Sequence, residues 1–302
     1  MEKAAIKIGW IGTGVMGKSM CGHLMKSGYN LSIYTRTASK ADDLIQNGAQ
    51  FKEPKELAQT SDVLFLMLGY PHDVEQVVLD EKNGILQHMK EGAVLIDHTT
   101  SSPGLALRIY EAAKQRGVKS IDAPVSGGDI GARNGTLVTM VGGDKEVVDQ
   151  SYDILKTYSA EVQHMGDGGA GQHTKMANQI MIANTMVGTC EALIYGHKAG
   201  LDLHQMILLL NKGAAGSFSL DKLAPRMLRR DFEPGFYVEH FIKDLGIALE
   251  EARRMKLGLP GLALASQLYQ ALGAQGFERK GTQALLLALE QLNGTQIRKY
   301  DI

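Results

Sequence analysis

The run Gly171-Gln172-His173-Thr174-Lys175-Met176-Ala177-Asn178-Gln179 carries the side chains best suited to proton transfer. Written on a helix, Lys175, Asn178 and Gln179 fall at i, i+3 and i+4 and share one face. A desolvated lysine can act as general acid or base near neutral pH, and two neighbouring amides can orient it or a substrate. The alternative, an exposed lysine of no function, is disfavoured because a cation near a helix N-terminus opposes the dipole. Lys175, Asn178 and Gln179 are therefore the catalytic candidates. A second group, Asp122-Ala123-Pro124-Val125-Ser126-Gly127-Gly128, combines a hydroxyl with two glycines. Exposed backbone N–H groups with the Ser126 hydroxyl make a cradle for a small anion such as a carboxylate, so Ser126, Gly127 and Gly128 are the substrate-binding candidates. A third group, Gly12-Thr13-Gly14-Val15-Met16-Gly17, has the GxGxxG spacing of a dinucleotide turn.

These groups need elements to position them. Short apolar runs at Ile6-Ile11, Leu31-Tyr34, Val63-Leu68, Val94-Asp97, Lys119-Ala123, Leu137-Val141 and Glu161-His164 read as strands, with helical patterns between most of them. That repetition predicts an α/β class, a doubly wound parallel sheet with helices on both faces, which binds ligands at the carboxyl ends of its strands. The glycine motif stands where this fold needs it, after the first strand and before a helical run from Lys18 to Lys26. Gly12 then permits the tight turn, Gly14 lets a pyrophosphate approach the backbone, and Gly17 allows helix and strand to pack closely. Gly12, Thr13, Gly14, Val15, Met16 and Gly17 are accordingly expected to bind the cofactor. Nineteen residues beyond Gly17 the second strand ends in Tyr34-Thr35-Arg36-Thr37, without the acid that holds an NAD ribose. A guanidinium can instead take a 2′-phosphate in bidentate fashion and stack on adenine, so Thr35, Arg36 and Thr37 point to NADP, with NADPH preferred over NADH. The strand that begins at Val63 leads into the turn Met67-Leu68-Gly69-Tyr70-Pro71, where Leu68 and Gly69 are expected to flank the dinucleotide. In Asp97-His98-Thr99-Thr100-Ser101-Ser102-Pro103, Ser102 before Pro103 reads as a helix cap, Thr100 as a nicotinamide contact and His98 as structural.

The 302 residues exceed one typical domain, and a boundary is expected between 1–165, binding NADP, and 166–302, all-helical. In the second part Leu201-Asn211, Leu220-Arg229, Phe241-Met255 and Thr282-Leu292 show apolar faces of helical period, separated by glycine-bearing stretches that include Gly258-Gly261. A formal charge of −1 offers no footprint for nucleic acid or an anionic membrane. The best membrane-span candidate, Met176 to Gly196, is interrupted by Asn178, Asn184 and Glu191. Cys21 and Cys190 read as free core thiols, and with no secretory pattern before Gly12 they suggest a cytoplasmic protein. The nine histidines show no metal-ligand spacing, so no metal is expected.

Four motifs in order, Gly9 to Gly17, Asp122 to Gly128, Gly171 to Gln179 and Phe241-Ile242-Lys243-Asp244, make the chain resemble the β-hydroxyacid dehydrogenase family over nearly its whole length. That family includes 3-hydroxyisobutyrate dehydrogenase, tartronate semialdehyde reductase and the glyoxylate/succinic semialdehyde reductases. The resemblance implies a Rossmann domain joined by a long helix to an all-α domain, assembly as a homodimer or homotetramer, and a small carboxylate-bearing aldehyde or alcohol as substrate. It assigns Lys175 as the catalytic lysine, Ser126-Gly127-Gly128 as the carboxylate loop and Lys243 as a cofactor contact, with Phe236 and Asp244 completing the substrate site. Many members carry Asn four residues after the lysine, where this chain has Gln179 beside Asn178, and the tartronate semialdehyde reductases resemble this chain there. Three alternatives stand beside this reading: imine reduction on the same scaffold, disfavoured because such enzymes generally replace the lysine; a non-catalytic NADP-binding sensor, which predicts damage at the proton-transfer position; and a metal-dependent reaction, for which the sequence offers no ligand cluster. The motifs leave open 3-hydroxyisobutyrate, tartronate semialdehyde, succinic semialdehyde, glyoxylate or a sulfonated analogue.

Overall fold

The computed structural model describes residues 3–302. Cα packing divides the chain into two units, the first ending at Lys175 and the second running Met176–Ile302. In the first unit β1 (Lys7–Ile11), α1 (Val15–Lys26), β2 (Asn30–Tyr34), α2 (Asp42–Gln46), β3 (Gln50–Phe51), α3 (Pro54–Thr60), β4 (Val63–Leu66), α4 (Pro71–Leu79) and β5 (Val94–Asp97) follow one another. Then come α5 (Pro103–Gln115), β6 (Lys119–Asp122), β7 (Val125–Ser126), α6 (Gly128–Asn134), β8 (Leu137–Gly142), α7 (Lys145–Leu155) and β9 (Ser159–Gly166). The sheet order is β3-β2-β1-β4-β5-β6-β8-β7, with β9 also paired to β8.

β4 shows why such strands read as unbroken apolar runs. Val63 and Phe65 pack into the core on one face of the sheet, with Met20 and Leu24 of α1; Leu64 and Leu66 pack into the other, with Leu57, Val74, Leu105 and Ile109. Both faces are covered by helices, so every residue of the strand is buried. Chain order reverses at β1, which lies between β2 and β4, and the ends of these strands form the topological switch point where this fold binds ligands.

The sheet is not wholly parallel. β6 and β7 pair with β8 antiparallel; for β7 the reason is that residues 127–136 before β8 are too few for a parallel crossover. The two-residue strands β3 and β7 escaped the periodicity reading, since two residues show no period, and the strand beginning at Val63 stops at Leu66 rather than Leu68.

α8 (Ala170–Lys198) enters the second unit, which continues with α9 (Leu203–Leu210), α10 (Ala224–Leu228), α11 (Val238–Arg254), α12 (Pro260–Ala274) and α13 (Leu285–Leu292). On α8 the buried Met176, Ala183, Met186, Val187, Cys190, Leu193 and Ile194 form a stripe of heptad-like spacing in the helical core. The expected helix over Leu220–Arg229 is helical almost throughout, but its first part, Ser219–Leu223, is π-helical and runs directly into α10. Pro225, with no N–H to donate backwards, stands in the first turn of α10, just after this change of pitch. α12 was not anticipated, although Pro260 opens it and Leu262, Ala265, Ser266, Tyr269 and Leu272 bury one face. No helix of the described residues is long and apolar enough to cross a membrane.

Candidate active site

The turn after β1 is shaped by what its glycines avoid. Gly12 has φ +103°, and a Cβ there would lie 2.2 Å from the carbonyl oxygen of Met67. Its own N–H donates to the Tyr34 carbonyl at 2.8 Å, and its carbonyl accepts from Trp10 Nε1 at 2.9 Å. A Cβ on Gly17 would lie 2.1 Å from the Gly12 oxygen, so α1 reaches the turn only because residue 17 has no side chain. Gly14 is different: a Cβ there would meet nothing within 4 Å. It begins α1 without any side-chain cap, and the buried Thr13 hydroxyl beside it has no partner. Uncapped N–H groups, a helix dipole and an orphaned hydroxyl around open space suit a pyrophosphate, so the residues present fit a dinucleotide. Val15 is half exposed at this edge, while Met16 packs against the core.

Thr35, Arg36 and Thr37 leave the end of β2. Arg36 is ion-paired, Nη1 lying 3.2 Å from Oδ1 of Asp73 in the first turn of α4. Sequence reasoning missed Asp73; an acid just after Pro71 was the only signal. Leu68 packs against the apolar cluster that contains Leu64 and Leu66, and its N–H donates to Thr99 Oγ1 at 2.9 Å, with Gly69 following at the open end of β4.

The loop after β5 sorts its hydroxyls by burial. Thr99 and Ser101 are buried, Thr100 is partly exposed, and Ser102 caps α5 by accepting from Leu105 N at 3.2 Å. His98 is fully buried; Nδ1 donates to the Ala123 carbonyl at 2.6 Å and Nε2 accepts from the Tyr158 hydroxyl at 2.8 Å. Burial pulls its pKa down to about 4, so it is a neutral structural group.

The same loop is tied to the start of α8 by a buried network. Asp122, at the end of β6, accepts from Gly169 N and Gln172 N, both at 2.7 Å, and so caps α8 from another element. Burial raises the Asp122 pKa, while the two backbone donors pull it back down. Gln172, fully buried, accepts from Ser101 N at 3.0 Å and donates to the Thr99 carbonyl at 2.7 Å. Neither Asp122 nor Gln172 had been given a role from sequence. One turn along α8, the buried Lys175 donates from Nζ to the Val125 carbonyl at 2.8 Å. That bond sets the ammonium beside Ser126-Gly127-Gly128, where Gly127 (φ +124°) and Gly128 (φ +61°) hold backbone conformations costly for other residues.

In the helical unit the polar residues form their own chain. Asn178 donates to Gln179 Oε1 at 2.7 Å, and Gln179 Nε2 donates to Asp244 Oδ2 at 2.6 Å. Lys243 Nζ lies 2.8 Å from Asp244 Oδ1. Asp244 is thus buried with its carboxylate shared between an amide and an ammonium. Phe236 meets Phe241 edge-on, centroids 5.6 Å apart. Burial raises the thiol pKa values of Cys21 and Cys190, which suits core residues. Among the described residues no three His, Cys, Asp or Glu gather as a metal site would require.

A Rossmann sheet with an open glycine turn at its switch point, and a buried lysine beside a glycine-hydroxyl loop, define a nicotinamide dinucleotide-dependent oxidoreductase. The comparisons narrow the class. Residues 7–166 match the family model for the NAD-binding domain of 6-phosphogluconate dehydrogenase, and residues 169–289 that for the NAD-binding domain of NADP-dependent 3-hydroxyisobutyrate dehydrogenase. The chain is 54% identical to "Probable 3-hydroxyisobutyrate dehydrogenase-like 1, mitochondrial" of Arabidopsis thaliana, covering 98% of this chain and 88% of that one. It is 35% identical to 2-hydroxy-3-oxopropionate reductase of Escherichia coli, over 94% of this chain and 97% of that protein. Its fold is similar to a solved structure of Mycobacterium tuberculosis 3-hydroxyisobutyrate dehydrogenase with L-serine, with TM-score 0.85 and 25% identity, covering 94% and 99% of the two chains. The chain belongs to the β-hydroxyacid dehydrogenase family, and is an NAD(P)-dependent hydroxyacid dehydrogenase.

Proposed function

We propose that the chain interconverts a small 3-hydroxy carboxylate and its aldehyde, using NADP(H) in preference to NAD(H). The observation that carries this reading is the Lys175 Nζ bond to the Val125 carbonyl, which keeps a proton donor next to the Ser126-Gly127-Gly128 loop. The bound nicotinamide supplies or accepts the hydride at the substrate carbon. Lys175 gives a proton to the carbonyl oxygen during reduction and takes it from the alcohol during oxidation, and its charge stabilises the developing alkoxide. Ser126 and the N–H groups of Gly127 and Gly128 hold the carboxylate. Asn178 and Gln179, three and four residues beyond Lys175 on α8, are assigned the positioning role, with Gln179 held by Asp244 and Asn178 by Gln179. Thr100 would help hold the nicotinamide end of the cofactor, and Lys243 is assigned to cofactor binding by the family resemblance.

Four features support the substrate and cofactor choice. The L-serine in the Mycobacterium tuberculosis structure is itself a 3-hydroxy carboxylate. The 2-hydroxy-3-oxopropionate that names the Escherichia coli relative pairs an aldehyde with a carboxylate. Arg36 stands where NAD sites carry an acid, and the family model over residues 169–289 is described as NADP-dependent. Assembly as a homodimer or homotetramer is supported by large apolar side chains left exposed on the helical unit, Met181, Tyr195, Leu208 and Leu209. The buried free thiols fit a reducing compartment such as the cytoplasm.

Lys175→Ala, with Lys175→Met as a variant that keeps the apolar stem, should lower kcat by about 10²- to 10⁴-fold and leave the NADPH dissociation constant within about twofold. Substantial kcat in both variants excludes the proton-transfer role. A panel of 3-hydroxyisobutyrate with NADP+ and NAD+, and of tartronate semialdehyde, succinic semialdehyde and glyoxylate with NADPH and NADH, selects the substrate.

A further inference from the structure

Arg36 leaves the end of β2 and Asp73 stands in the first turn of α4, after β4. Because β1 lies between β2 and β4 in the sheet, these two residues follow the strands on either side of the one that leads into the glycine turn, and an ion pair at 3.2 Å joins them. The partners are unequal. Arg36 has 80% of its side chain exposed and is a movable arm, whereas Asp73 has 11% exposed and is a fixed anchor. The N-terminus of α4 favours negative charge at Asp73. Its other oxygen, Oδ2, is buried with no hydrogen-bond partner, and the His72 ring lies further off, Nε2 4.0 Å from Oδ1. Arg36 is therefore the main counter-charge of this carboxylate.

We propose that Asp73 sets how strongly the protein discriminates NADPH from NADH, keeping the preference below the value Arg36 alone would give. The proposal rests on the reading above that the adenosine ribose lies at the end of β2. A 2′-phosphate there must draw Arg36 away from Asp73 or share it, and sharing brings a dianion close to a fixed carboxylate. NADH meets neither cost, and its free 2′-hydroxyl can donate to a carboxylate, as it does to the acid of ordinary NAD sites. Asp73 thus supplies, from α4, part of the acid that β2 lacks.

The test is equilibrium binding to the full chain, by calorimetry, of NADPH, NADH and adenosine 2′,5′-bisphosphate. The proteins are the wild type, Asp73→Asn, Asp73→Ser and Arg36→Ala. Both Asp73 variants should bind NADPH and the bisphosphate about fivefold tighter, the value of an exposed ion pair near the top of its range, with NADH unchanged within twofold or weaker. An NADPH-to-NADH ratio that stays constant or falls in these variants overturns the proposal and leaves Asp73 as a mere support for Arg36. Arg36→Ala tells the two readings apart. If it leaves the ratio unchanged, the phosphate is not at Arg36 and the NADP reading itself fails; if it collapses the ratio while the Asp73 variants do not raise it, only the role of Asp73 falls.

Discussion

Gln172→Leu is the most informative perturbation of the framework around Lys175. The substitution keeps a side chain of similar volume and removes two hydrogen bonds, from Ser101 N at 3.0 Å and to the Thr99 carbonyl at 2.7 Å. Thr99 and Ser101 are 0% and 1% exposed, so water cannot replace the lost partners without loosening the loop. Each buried polar group left unsatisfied costs about 1–3 kcal/mol, so the pair should cost about 2–6 kcal/mol. That is a large share of a typical stability of about 5–15 kcal/mol. Urea unfolding of the cofactor-free protein measures the loss, and amide exchange at Ser101 reports whether it is local. Gln172→Glu adds a directional check. It keeps the acceptor for Ser101 N but sets a carboxylate oxygen against the Thr99 carbonyl, so its stability relative to wild type should improve as pH falls and a protonated oxygen can donate. A loss below about 0.5 kcal/mol in Gln172→Leu, with Ser101 exchange unaltered, would refute the reasoning that these two bonds hold the loop to α8.

Protonation of His98 should make stability fall in acid. Its folded pKa of about 4 lies below the ordinary 6.5, so the unfolded chain takes up the proton first. Stability is full above about pH 6.5, declines as pH falls towards 4 by up to roughly 3 kcal/mol, and His98 contributes no further slope below that. Urea midpoints between pH 7 and 4.5 measure it, and His98→Gln should lose this part of the slope. Gly17→Ala sets a Cβ against the backbone oxygen of Gly12, which cannot move without opening the turn. It should cost about 1–3 kcal/mol of stability and weaken binding of both dinucleotides together, measured by thermal melts and titration; undiminished binding would show that the turn tolerates the shift.

Much of the fold was legible because its signals are local. Val63 to Leu66 reads as a buried strand from four residues, and the GxGxxG turn from six, since each spacing answers to the steric demand of its immediate neighbours. Lys175, Asn178 and Gln179 likewise needed only the period of one helix. Where local signal ran thin the reading failed: β3 and β7 have two residues each, and α12 begins in a stretch that looked like a break.

The roles of the polar residues belonged to tertiary structure. Gln172 meets Ser101 across 71 residues, Lys175 meets Val125 across 50, and Gln179 meets Asp244 across 65. Nothing in the sequence said whether Asp244 would pair with Lys175, Lys243 or a helix group, or that Arg36 would be met by an acid from α4. By itself the sequence determined the strand–helix repeat, the dinucleotide turn and the lysine helix, because periodicity and backbone sterics act between near neighbours. Only the tertiary structure decided which buried charge faces which. Hydrogen bonds and ion pairs have no period along a chain; their partners are set by how the sheet orders its strands and how the helices pack.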